Sequence, residues 1–431
     1  MPASVVMAEP LGLGVDLGSS GLRLALMQAD GRVPFEIRSS YPSAFEDPQG
    51  WRSGLIALCA RVEPALRARV AAIAIDGTSG TLLLCRPDGM PAPAPLALAL
   101  PYHQACPQQA ATAAALVGSA AAQTPAAAAS GSLARALNLL AAADAAGLAG
   151  PWLLRHQADW LMGWLLDDWH WGEEGNNLRL GWDPQARRWC GAIAAQSWSS
   201  ALPHLCASGD RLGPLAPAAA ITLGLPADCQ VVAGSTDASA AVMAADPQPG
   251  DGVAVLGTTL ALKQFAPQPI AAVGVSCQRL AGQWLVGGAS NAGAGVLRQF
   301  FTDAQLSELS RQIDPRRCTG LNLRPLPRPG ERFPVDDPAL PPILEPRPVS
   351  DALYLQALLE GLAAIERDGW QRLQALGAPP IRRVLTLGGG ARNPQWRQIR
   401  QRLLGLPVLN RPQASAARGM ARLALAAVIS P

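Results

Sequence analysis

Three aspartates stand at the ends of apolar, strand-like runs. Asp16 lies within LGVDLGSSGLRLAL, Asp76 closes VAAIAID ahead of GTSGT, and Asp237 follows VVAGST ahead of ASAAVMAA. A carboxylate in such a run is costly to bury unless a partner or a metal compensates it, so each one needs a chemical reason. Directly after Asp16, the small residues Gly18, Ser19, Ser20 and Gly21 make a tip whose amides suit an anion. A second tip of this kind, Gly257-Thr258-Thr259, interrupts VAVLGTTLALKQF. The chemistry that fits is phosphoryl transfer: two tips holding polyphosphate, Asp16 orienting hydrated Mg²⁺, and Asp237 accepting the proton of an attacking hydroxyl. Each feature also has a plainer reading. A lone Gly-Ser tip is an ordinary turn, and an Asp between strand and helix serves equally well as an N-cap. Gly388-Gly389-Gly390 with Asn393 either admits a flat purine to the backbone or packs a strand-helix junction.

The elements that must position these residues follow from periodicity. Leu22, Leu24 and Leu26 alternate with Arg23, so Asp16 and the first tip belong to a hairpin. Helical spacing of Trp51, Leu55, Leu58, Val62 and Leu66 leads into Val70 to Cys85, a second strand, acid and small-residue turn followed by another apolar run. Ala110 to Ala149 is expected to be helical, with a break near Thr124 to Ser132. Trp152 to Trp171 reads as one tryptophan-rich helix ending in the polar loop GEEGNNLRLGWDP. Val231 to Ala245 gives strand, Asp237 and helix, and Val253 to Phe265 repeats the opening hairpin. Later come a Gly/Ser/Asn turn before a helix in WLVGGASNAGAGVLRQFF, a Pro-rich excursion over the surface (PLPRPGERFPVDDP onward), and an amphipathic helix, Ser350 to Leu376. A strand then meets three glycines, Pro394 starts the next helix, and Ser415 to Val428 is the closing helix.

Composition bounds the rest. At 431 residues, 49% hydrophobic and 16% charged, the chain buries a sizeable core and suggests two or three domains. A net charge of +3 without basic-aromatic clusters argues against nucleic acid as partner. Lys263 is the only lysine, which excludes a Walker A loop. GLGVDLG breaks the GxGxxG spacing within a strand, so a dinucleotide fingerprint is not expected. The four histidines are scattered, with no HExxH or GxSxG. The eight cysteines form no CxxC pair and read as reduced core thiols. Neither a targeting segment nor a membrane-spanning run is evident, which points to a cytoplasmic protein without a membrane partner. Nothing in the sequence speaks to oligomeric state.

DLGSSGLR, DGTSGT, GSTDASAA, LGTT and LGGGARN, in this order and spacing, resemble the FGGY carbohydrate kinases of the sugar kinase, Hsc70 and actin superfamily. HQADWLMGWLL, GGASNAGAGVLRQFF and PGERFPVDDP look like the D-ribulose kinases of cyanobacteria and plants within that family. The resemblance implies an α/β fold with two ribonuclease-H-like lobes around a central cleft, residues 11–232 binding the sugar and residues 233–431 binding ATP. It implies Mg²⁺ served through water by Asp16, and a sugar site built from Asp16, Ser20, Gly21, Leu22, Arg23, Asp76, Thr78 and Asp237, with Asp237 as catalytic base. The ATP set would be Gly18, Ser19, Gly257, Thr258, Thr259, Gly288, Gly388, Gly389, Gly390 and Asn393. The implied reaction is ATP-dependent phosphorylation of D-ribulose to D-ribulose 5-phosphate, with D-xylulose, or a weakly active sugar- and ATP-binding pseudokinase, as alternatives. One departure bears on substrate: after Tyr102, where many relatives carry Asp, this chain has His103 and Gln104.

Overall fold

The computed structural model describes residues 9–118, 124–411 and 414–429. The chain divides into two compact units, Met1–Ala244 with Arg279–Gly282 and Ser415–Pro431, and Ala245–Gln278 with Gln283–Ala414.

The opening strand, Leu11–Gly18, shows why the first unit forms. Leu11, Leu13, Val15 and Leu17 alternate with Gly12, Gly14 and Asp16, so one face is large and apolar and the other has almost no side chain. The large face joins Leu22, Leu24, Leu26, Trp51, Leu55 and Leu58 in a core. On the bare face the closing helix, Ala416–Ile429, approaches so closely that a Cβ on Gly14 would lie 1.9 Å from the Ala417 carbonyl oxygen. The same helix meets the helix Asp237–Ala244 through Gly419, whose added Cβ would lie 1.9 Å from the Ala240 carbonyl oxygen.

Six strands build this sheet, in the order Arg211–Pro214, Gln230–Thr236, Val70–Gly77, Leu11–Gly18, Gly21–Met27 and Phe35–Ser39. The last three are antiparallel in succession, whereas Val70–Gly77 and Gln230–Thr236 run parallel to the opening strand. The second unit repeats the pattern. Its order is Val275–Leu280, Gln283–Ser290, Leu260–Ala266, Asp251–Leu256, Arg383–Leu387 and Val408–Asn410, with the last two parallel to Asp251–Leu256. Each sheet thus holds three antiparallel strands extended by two parallel ones, with a sixth strand at one edge (Arg211–Pro214 in the first, Val275–Leu280 in the second), the ribonuclease-H-like arrangement that the resemblance implies.

In the second unit the sheet packs on the helix Asp351–Ala375, N-capped by Ser350, whose hydroxyl accepts from the Leu353 amide at 3.3 Å. Leu262, Val286, Phe333, Tyr354, Leu358 and Trp370 belong to its core. Arg400 and Glu366 form a fully buried bidentate pair (2.5 and 2.8 Å), and Arg400 also donates to Thr386 at 2.7 Å.

Several sequence expectations need correction. The closing helix follows the second unit in sequence but packs in the first, and the first unit extends to Ala244 rather than stopping at residue 232. Residues 152–171 are not one helix: a strand Leu153–His156 precedes the helix Gln157–Leu166, which Asp167 ends in the left-handed region (φ 55°). After the Asp76 turn, Leu82–Cys85 leaves the main sheet and pairs with Leu153–His156. GEEGNN is no exposed loop; Glu174–Asn177 is a buried helical turn, because the Glu173 carboxylate accepts from the amides of Gly175 (2.7 Å) and Asn176 (2.8 Å). The Pro-rich excursion is pinned down by Phe333, packed over Gly288 and Gly369, and by Glu331, which accepts from Ser290 Oγ and the Asn291 amide. Cys318 is exposed, unlike the buried Cys59, Cys85, Cys106, Cys206 and Cys229; all eight cysteines are free. In the Ala-rich region, helices Ala110–Val117 and Ser132–Ala145 flank the expected break near Thr124 to Ser132, which holds only the single turn Pro125–Ala127; residues 119–123 lie outside the described residues. No helix among the described residues is long and apolar enough to cross a membrane.

Candidate active site

The first sheet brings the three aspartates together. Asp16 and Asp76 are direct partners in the parallel register, and Ser235, two residues before Asp237, pairs with Asp76 from the other side. Period-two alternation sets Asp16 on the face of Gly12 and Gly14, away from the leucine core. Arg23, its antiparallel partner, donates to Asp16 Oδ2 at 2.7 Å. The carboxylate questioned in the sequence therefore has a protein partner of its own, before any metal is considered. Asp16 is 2% and Asp76 0% exposed, and neither oxygen of Asp76 has a hydrogen-bond partner. Burial, and then the charges of Asp16 and Asp237, push the Asp76 carboxyl well above the usual carboxylate range, with Arg23 opposing.

Asp237 begins the helix Asp237–Ala244, but it is not the residue that caps it. Thr236 Oγ1 accepts from the Ser239 amide (3.4 Å), while Asp237 Oδ1 accepts from the adjacent Ala238 amide (2.8 Å) and caps no amide two or three residues on. Burial raises the Asp237 carboxyl and Asp16 adds to this, against the pull of the Ala238 and Ser79 amides and of Arg179. A carboxylate displaced upward in this way is a better proton acceptor than an exposed one.

Beside the acids, Ser19 and Ser20 are exposed at the hairpin tip, where Gly18 pairs with Gly21 (φ +147°); Leu22 is buried and points into the core. A hydrogen-bonded chain fixes this tip to the Asp76 turn. Tyr41 donates to the Gly18 carbonyl (2.8 Å), Gln157 Nε2 donates to the Tyr41 hydroxyl (3.3 Å), and Gln157 Oε1 accepts from both the amide and the hydroxyl of Thr78 (3.1 and 2.8 Å). Thr78 and Thr81 hydroxyls are 2.6 Å apart. Thr78 and Asp76 therefore form an enclosed floor rather than an exposed wall. Tyr41, Gln157 and Arg179 were missed in the sequence. Their only signal there was a polar residue within an apolar helix or beside one, which does not say what it will meet.

In the second unit, Gly257-Thr258-Thr259 is the turn of the hairpin Asp251–Leu256 and Leu260–Ala266, with Thr258 and Thr259 exposed. The segment after Gln283–Ser290 holds it: the Ala294 amide donates to the Gly257 carbonyl (2.9 Å) and the Gly295 amide to that of Thr258 (3.1 Å). Gly388 takes φ +82° against Leu256 and Gly390 packs on Trp396, whereas a Cβ on Gly389 would meet nothing within 4 Å. Two residues of the expected ATP set have other work. Asn393 caps the helix Pro394–Leu404, its Oδ1 accepting from the Trp396 amide (2.9 Å) and its Nδ2 donating to Ser310 (2.9 Å). Gly288 is buried mid-strand beneath the Phe333 ring.

The fold of the chain is that of sugar kinases of the actin and Hsc70 type. A xylulose kinase from Brucella ovis superposes with a TM-score of 0.80 at 22% identity, over 97% of this chain and 90% of that one. A Plasmodium falciparum glycerol kinase with ADP gives 0.78 at 14% identity, again over 97% and 90%. Residues 252–428 match the C-terminal domain of the FGGY family of carbohydrate kinases. The L-fuculokinase of Escherichia coli (strain K12) is 26% identical over 237 residues, 48% of this chain; the match spans less than half (45%) of that enzyme's length.

Proposed function

We propose that this protein is an ATP-dependent carbohydrate kinase that phosphorylates a pentulose, with D-ribulose as its first candidate substrate. The observation that carries the reading is Asp237: a half-buried carboxylate, relieved of helix capping by Thr236 and carried on the strand that pairs with Asp76, itself the register partner of Asp16. Asp237 would take the proton of the sugar's terminal hydroxyl as the γ-phosphoryl group transfers in line. Arg23, Ser20 and the Gly18–Gly21 backbone would face the sugar and the transferring phosphate, while Leu22, Asp76 and Thr78 hold the pocket from within. In the second unit, the exposed Thr258 and Thr259 with Gly257, and the open Gly389, are the positions best suited to phosphate and adenosine; Asn393 and Gly288 would contribute by shaping those turns.

Mg²⁺ fits the chemistry around Asp16, which offers hard carboxylate oxygens above the unpartnered oxygens of Asp76. Among the described residues, no group of three or more His, Cys, Asp or Glu makes a metal cage. An ion held at Asp16 would be carried mainly by nucleotide phosphates and water, and would supply charge neutralisation at the phosphates.

D-ribulose is favoured by the segments resembling D-ribulose kinases, and D-xylulose by the structural likeness to a xylulose kinase. The deciding experiment is ADP release with MgATP across D-ribulose, D-xylulose, L-ribulose, L-fuculose, ribitol and glycerol, with D237A as the blank. Turnover highest on D-ribulose supports the full proposal, and turnover on another sugar or polyol changes the substrate alone. No turnover on any of them, from protein that binds ATP, replaces the kinase with a pseudokinase.

A further inference from the structure

Two of the four histidines, well separated in sequence, meet on the surface of the first unit. The helix Gln157–Leu166 ends at Asp167, and the chain turns through Asp168 to His170 ahead of the short strand Trp171–Glu173. That strand pairs in parallel with His204–Cys206, Trp171 lying opposite His204, and the His204 amide donates to the His170 carbonyl at 2.7 Å. The pairing sets the two imidazoles side by side, with ring centres 6.1 Å apart, planes inclined by 30° and both side chains exposed. Each ring is oriented by a neighbour. The Asp168 carboxylate accepts from the His170 amide (3.0 Å) and from His170 Nδ1 (2.9 Å), which puts the ring proton on Nδ1 and leaves Nε2 with a lone pair. Trp171 meets the His204 ring edge-on (centroids 6.3 Å apart, 82° between planes), and among the described residues no hydrogen bond occupies either His204 ring nitrogen.

A histidine that donates one ring N–H to a carboxylate has the usual form of a metal ligand, because the carboxylate fixes the tautomer and raises the basicity of the other nitrogen. Metal–nitrogen bonds of about 2.0–2.1 Å put the ring centres of two imidazoles on one ion roughly 4.5 Å apart for a right angle at the metal and roughly 6.4 Å apart for a linear one. The observed separation falls within that span, toward its wide end, and exposed rings need only a small rotation to close it. We propose that His170 and His204 chelate one divalent transition ion of the copper, nickel and zinc class, with Asp168 positioning His170 and water completing the shell. Imidazole suits these ions, whereas Mg²⁺ and Ca²⁺ take oxygen ligands. Among the described residues no group of three His, Cys, Asp or Glu is placed to hold an ion, so the site is an open two-nitrogen chelate rather than a cage. A bound ion would staple the segment after the helix Gln157–Leu166 to the strand His204–Cys206. The inference is independent of the kinase reading.

The test uses the untagged full chain, stripped of metal with EDTA and titrated with Cu²⁺, Ni²⁺ and Zn²⁺ by calorimetry. One equivalent of each ion should bind, Cu²⁺ most tightly, and excess Mg²⁺ should not displace it. H170A and H204A should each weaken Cu²⁺ binding at least about tenfold, D168N should weaken it about ten- to a hundredfold, and H103A should leave it unchanged. Electron paramagnetic resonance of the Cu²⁺ protein should show coupling to two imidazole nitrogens, falling to one in either H170A or H204A. Both rings are exposed, so these variants should melt with the wild type in EDTA and lose the rise in Tm that Zn²⁺ gives the wild type. If one of the two does not fold, the other decides, since each removes one ligand of the pair. No one-equivalent site, binding that survives H170A or H204A unchanged, or a Cu²⁺ spectrum with fewer than two nitrogens overturns the chelate. D168N that binds as tightly as the wild type overturns the positioning role of Asp168.

Discussion

The Ser239 amide donates to the hydroxyl of Thr236, one residue before Asp237 in the chain. This places the capping duty on a neighbour and leaves the acid to other work. Structure and catalysis at this junction should therefore separate cleanly under mutation.

T236A should cost about 1 kcal/mol of stability and keep most of the turnover. D237N should melt near the wild-type temperature and lose at least about 10²- to 10⁴-fold in kcat. Paired melting curves and steady-state rates check both. A D237N protein that unfolds readily while T236A does not would return Asp237 to a structural role.

The second tip invites a substitution that acts at a distance from its own side chain. A Cβ at Gly293 would lie 2.4 Å from the Thr258 carbonyl oxygen, which has no room to yield without moving the tip. G293A should raise the KM for ATP about tenfold or more, since small displacements of a positioning backbone are costly, and leave the sugar KM unchanged. Substrate-saturation curves in each substrate distinguish this from a general loss of fold.

Stability should fall with rising pH through one buried acid. Burial pushes Glu173 up from 4.5 to about 8, although the Gly175 and Asn176 amides favour its charged form. The folded state then binds the proton more tightly than the unfolded one, so this contribution is complete below 4.5 and is lost as pH rises towards about 8. Urea melts of wild type and E173Q should diverge over that window, with E173Q gaining relative stability at the alkaline end. Parallel pH profiles of the two proteins would contradict the assignment.

In the second unit, the Arg400 and Glu366 pair is out of water on both sides. Removing one partner strands the other charge, so R400M should cost about 3–5 kcal/mol, more than any surface arginine. Denaturant midpoints for R400M against R298A, whose side chain is exposed, provide the comparison.

The sequence by itself determined the chemistry that was available and the strands that carry it. The leucine-glycine alternation around Asp16 requires a strand with one bulky and one bare face, and the Gly-Ser and Gly-Thr tips require tight turns, because these follow from local sterics and period. The strands that end near Asp16, Asp76 and Asp237 and the repeat of the opening hairpin were legible for that reason. Tertiary structure alone decided the partnerships. Arg23 on Asp16, Gln157 between Tyr41 and Thr78, and His170 beside His204 join residues far apart in the chain, and no local pattern encodes such meetings. The same holds for the closing helix. It follows the second unit in sequence, but packs in the first, where Gly12 and Gly14 leave a strand bare enough for a helix backbone to lie directly against it.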